Sequence, residues 1–141
     1  MSTRYQFLAH ARKSFAFLER MGFHVETERE GTYASFKDGF TLVYRSKDTS
    51  VDIDYSDMEL EVRFRRNGVS ASYLFIDHNL HANASGIAGC MFPFEKLPPV
   101  IDSTAKDIAA NYEAILSGDA KIWQRIEKLV RAPKERKPFL P

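Results

Sequence analysis

The sequence predicts an α+β fold: an N-terminal helix, an antiparallel β-meander of about five to six strands, and two C-terminal helices packed on one sheet face. Three observations lead there. Apolar residues recur at helical spacing near both ends of the chain, over residues 3–21 and 103–130. Between 24 and 77 the period drops to two, with Val, Ile, Tyr and Phe alternating with charged or hydroxyl residues. The breaks inside that stretch are short and rich in Gly and Asp, which suits hairpins, whereas parallel neighbours need a long crossover.

Residues 3–21 place Phe7, Leu8, Ala11, Phe15 and Leu18 on one helical face. Ser2 or Thr3 offers a start cap, Gly22 a stop, and Phe23 a side chain to fold back on the last turn. The strands expected next are 24–29, 32–37, 40–45, 50–55, 58–66 and 70–77. Glu30-Gly31, Asp38-Gly39, Lys47-Asp48, Ser56-Asp57 and Asn67-Gly68 separate them. Residues 78–101 combine a small polar run with a proline-rich one (CMFPFEKLPPV) and predict an ordered, non-helical loop. A helix over Ser103–Leu116 follows, stopped by Gly118; Asp119 caps another carrying Ile122, Trp123, Ile126, Leu129 and Val130, with Pro133 beyond it. The expected division is one domain over 1–132 and a basic tail over 133–141.

A chain of 141 residues is long enough for a hydrophobic core without staples, and 11 Phe with 6 Tyr supply bulky material for it. The formal charge of +1 gives no global positive field, so nucleic acid is not the expected partner. The single cysteine, Cys90, excludes an intramolecular disulfide and a four-cysteine zinc site. No run approaches transmembrane length, and charges interrupt the N-terminus where a signal peptide would be apolar; a cytoplasmic protein without membrane contact is expected. Charge is nevertheless uneven. Residues 24–61 hold ten acids against four bases, and 120–141 hold seven bases against two acids.

The most ordered stretch is VDIDYSDMELEVRFRR, residues 51–66. Its apolar residues alternate with Asp52, Asp54, Glu59, Glu61, Arg63 and Arg65. With Ser56-Asp57 as a two-residue turn, Asp54 would face Glu59 and Asp52 would face Glu61. Like charges directly opposite on a sheet are unfavourable. Three readings follow. The acids belong to a solvated face neutralised by Arg45, Lys47, Arg63 and Arg65. Or the six charged residues form a contact for a basic protein. Or Asp52 or Asp54 with Glu61 holds a metal for phosphodiester hydrolysis. The last lacks the expected lysine, since Glu61-Val62-Arg63 ends in an arginine that is a poor substitute for a compact, titratable ammonium.

Asp77-His78-Asn79-Leu80-His81 is the one histidine cluster, and a weaker metal set would be Asp54, Glu61, His78 and His81. Cys90 has apolar neighbours and no family signature around it, which suits an inert thiol. SGIAG lacks the spacing of a phosphate loop or dinucleotide fingerprint, so no cofactor is expected.

NYEAILSGDAKIW, FLERMGF and the VDIDYS…ELEVRF hairpin together resemble a group of small, mostly uncharacterised bacterial α+β proteins. The resemblance rests on Gly22, Phe23, Tyr112, Gly118, Asp119 and Trp123, which are fold-forming residues. Some small bacterial α+β proteins of this size are immunity proteins that neutralise toxins, a role the resemblance permits. The acidic 24–61 segment in a nearly neutral chain, with no complete catalytic constellation, makes the expectation a non-catalytic protein whose acidic sheet surface meets a basic partner. The alternatives are a metal-dependent hydrolase using Asp52, Asp54 and Glu61, and a homodimer joined through the exposed sheet face.

Overall fold

The structure is a computed structural model and describes residues 3–30, 39–56, 59–81 and 96–131. Helices α1 (Thr3–Ser14) and α2 (Phe17–Arg20) lead into strands β1 (His24–Glu30), β2 (Phe40–Arg45), β3 (Thr49–Ser56), β4 (Glu59–Arg66) and β5 (Val69–Ser72). Then come α3 (Tyr73–Ile76), a π-helical stretch over Asp77–His81, α4 (Leu97–Asn111), α5 (Glu113–Ser117) and α6 (Ala120–Arg131). The five strands form one antiparallel sheet in sequence order, and the helices pack against it, so the α+β meander expected from the sequence is present.

Alternation decides which face is covered. Phe40, Leu42, Tyr44, Val51, Ile53, Tyr55, Leu60, Val62 and Phe64 are buried, while the residues between them are half-buried or exposed. Phe15, Leu18, Ile108, Tyr112, Trp123 and Ile126 close the core from the helix side. Tyr112 stacks on Phe64 with ring centroids 5.5 Å apart, tying the end of α4 to β4.

Local stops act where their chemistry predicts. Gly22 sits at φ +99°, and the Phe23 N–H returns to the Leu18 carbonyl at 3.0 Å. Asn67 and Gly68 both adopt positive φ in the β4–β5 turn. Gly118 ends α5 at φ +80°, and an Asp119 carboxylate oxygen accepts the Lys121 N–H at 3.0 Å to start α6.

Four expectations change. The first helix breaks at Phe15–Ala16, where tight three-residue hydrogen bonds such as Ala16 N–H to Lys13 carbonyl let both Phe15 and Leu18 reach the core. The last strand stops at Ser72 instead of running to 77. The Ser72 hydroxyl accepts the Phe75 N–H at 3.1 Å, and α3 begins with Tyr73 and Ile76 turned inward. Helix α4 starts at Leu97, inside the expected loop, because Pro98 and Pro99 fit a first turn whose N–H groups need no helical partner. It also bends into α5 at Tyr112, where ψ is 20°.

The β3–β4 register is the fourth change. Ser56 lies opposite Glu59, Asp54 opposite Glu61 and Asp52 opposite Arg63, two residues away from the expected pairing. A shift of two keeps every side chain on its face. It also replaces one of the two expected like-charge pairs with an opposite-charge pair. The expected strand 32–37, the turn at Asp57, Cys90 with the surrounding loop, and the 132/133 boundary lie outside the described residues.

Candidate functional site

The outer sheet face is organised in rows across the strands. Arg29, Thr41, Asp54 and Glu61 form one row; Thr27, Val43, Asp52, Arg63 and Ser72 the next; Arg45, Ser50, Arg65 and Ser70 a third. A bulge between Val25 and Thr27 places Arg29 in the first row. Ser56 and Glu59 extend the face at the hairpin end. The face thus runs from acidic, at Asp54, Glu59 and Glu61, to basic, at Arg45 and Arg65.

Within it the charges are partly matched. Arg65 Nε donates to Asp52 Oδ2 at 2.8 Å, and the Ser50 hydroxyl donates to the other Asp52 oxygen at 3.2 Å. Arg63 reaches Glu61 Oε2 at 2.8 Å along its own strand and the Ser70 hydroxyl at 3.0 Å. The Arg63 and Arg65 side chains are 35% and 54% exposed, so these pairs hold geometry more than they stabilise.

Asp54 is different. It accepts one hydrogen bond from the Thr41 hydroxyl at 2.8 Å and lies directly opposite Glu61. Burial pushes its carboxyl above the ordinary aspartate range, and the Glu61 charge adds to that; the Thr41 bond and the Arg29 charge oppose them. The like-charge contact read from the sequence therefore exists, between Asp54 and Glu61 instead of Asp54 and Glu59.

The six residues expected to meet a partner all belong to this hairpin face. Of the weaker metal set, Asp54, Glu61 and His78 are not brought together. Asp54 and Glu61 share a row, but His78 is carried by the helical stretch after β5. There Tyr73 and Ile76 enter the core, and the Tyr73 hydroxyl bonds Asp107 of α4 on the helix side of the sheet. Among the described residues no three His, Cys, Asp or Glu side chains converge as metal ligands. Neither is any helix among them long and apolar enough to cross a membrane.

Two features of the face were not legible in the sequence. The diagonal Arg65–Asp52 pair depends on the register, and Arg29 joins the Asp54 row through the bulge. No family model, no curated protein and no solved structure matches the chain.

Proposed function

We propose that the chain is a non-catalytic binding protein that takes a basic protein partner on the acidic end of its outer sheet face. The observation that carries this reading is the Asp54–Glu61 opposition on the sheet face turned away from the hydrophobic core. An arginine or lysine seated between the two carboxylates would add to the partial offset that Arg29 and Arg63 already give this like-charge opposition. Glu59 widens the negative end, while Arg63 and Arg65 fix the carboxylates of Glu61 and Asp52 and so shape the contact. Neutralising a basic toxin in the cytoplasm, as immunity proteins do, is a role that fits such a surface.

Affinity capture on the immobilised protein tests the reading, using a lysate of the cell in which it is made. A basic protein held by the wild type and lost by the Asp54→Asn/Glu61→Gln double variant is expected. Equal capture by both would defeat the assignment of this face. A divalent cation raising the melting temperature of the wild type alone would favour the hydrolase alternative. A second copy of the chain as the sole captured protein would favour the homodimer.

A further inference from the structure

A second surface lies on the helix layer, away from the sheet face, and does not rest on the reading above. The break in the first helix turns Lys13, Ala16, Phe17 and Arg20 toward a groove whose other wall is Asp102, Ala105, Lys106 and Ala109 of α4. The α4 wall has the spacing i, i+3, i+4, i+7 and presents one helical stripe of two turns, about 10 Å long, while the facing wall crosses the break, with Lys13 on α1, Ala16 in the break, and Phe17 and Arg20 on α2. The groove encloses about 490 Å³.

Its floor is small and apolar. Ala105 is buried, Ala16 and Phe17 are half-buried, and Phe17 leans on Phe15 with ring centroids 6.0 Å apart. Alanines on facing walls permit the close backbone approach that seats a third helix. The rim is cationic. Lys13, Arg20 and Lys106 make no ion pair among the described residues. The one carboxylate there, Asp102, is already committed, accepting from the Ser14 hydroxyl at 2.6 Å and bonding His10 at 2.9 Å.

We infer that this groove docks an acidic amphipathic helix of a partner protein, small residues against the alanine floor and carboxylates toward Lys13, Arg20 and Lys106. The α4 stripe and the alanines on both walls favour a helix, and the clustering of Lys13, Arg20 and Lys106 around a carboxylate already held by Ser14 and His10 favours an acidic one. The chain's own C-terminal residues do not suit the role, since Lys134, Arg136 and Lys137 outnumber Glu135 and would face like charge.

The probe is a blocked helical peptide of Glu, Ala and Leu, titrated into isotopically labelled full-length protein, with its Lys-for-Glu counterpart as control. Amide shifts are expected to centre on residues 13–20 and 102–109, with the Lys peptide silent. Lys106→Glu should weaken binding about tenfold or more. Ala109→Trp, at an exposed position whose change leaves the fold intact, should abolish it by filling the groove. The inference is overturned if the shifts centre on the basic residues of α6, if Ala109→Trp binds like wild type, or if millimolar Glu peptide moves no resonance.

Discussion

Replacing Asp54 with Asn removes one charge from the Asp54–Glu61 pair while keeping an oxygen that can accept from Thr41. The side chain is nearly isosteric, so the core beneath, with Ile53 and Tyr55 at 0% and 1% exposure, is left alone. Opposed residues on a sheet have Cβ atoms about 5 Å apart, and a like-charge pair there costs a few tenths to about 1 kcal/mol. Stability at neutral pH should therefore hold level or rise by that amount. The pH dependence has a definite sign. Because the folded carboxyl titrates above its unfolded value, the folded state binds the proton more readily, so wild-type stability gains from this group as pH falls through the interval between the two. In Asp54→Asn that gain disappears. Urea melts of both proteins from neutral pH down to about pH 4, compared as differences, isolate the effect. A clear loss of stability at neutral pH would refute the reasoning, because it would make Asp54 a net stabilising member of an ion network with Arg29.

Other perturbations test the frame. Trp123 is buried and its indole N–H donates to the Ile115 carbonyl at 2.9 Å, so Trp123→Ala should cost about 3–5 kcal/mol in a denaturant melt. Native fluorescence should be blue-shifted relative to the unfolded chain. Gly118→Ala should cost about 1–3 kcal/mol, since φ is +80° and the new Cβ would lie 2.7 Å from Arg66 Nη1. The Tyr112 hydroxyl is pushed far above its ordinary range by burial, with nearby Asp77 adding to it. Above about pH 10 the unfolded state loses this proton first, and stability should fall as pH rises. Micromolar Mg²⁺, Mn²⁺ or Zn²⁺ should leave the melting temperature unchanged, whereas a ligand at a hundredfold its Kd would add about 2.7 kcal/mol.

Where local chemistry alone fixes the backbone, the sequence was a sufficient guide. Gly22, Asn67-Gly68 and Gly118-Asp119 each require a conformation that few other residues supply, and each acts where expected. Strand faces were legible because burial imposes period two. The misplaced boundaries have tertiary causes. Phe15 breaks a helix of good local propensity to reach the core, and Tyr73 leaves a strand-like run so that its ring can lie 5.4 Å from Tyr112. Pro98 and Pro99 suggested a loop, although a first helical turn suits them equally well. The candidate site was half legible. Alternation put Asp52, Asp54, Glu59 and Glu61 on one face. Which acids oppose each other depended on a register that also places Arg63 opposite Asp52, an energetic preference between strands that spacing within one strand does not reveal.

The most direct test of the central claim is the affinity of the captured partner for wild type and for Asp54→Asn/Glu61→Gln, each measured at low and at near-physiological salt. If the acidic end of the sheet is the contact, the wild type should bind more weakly as salt rises, and the double variant should bind more weakly throughout with a much flatter salt dependence. Equal affinities with equal salt slopes would contradict the claim and return these carboxylates to an ordinary solvated sheet face.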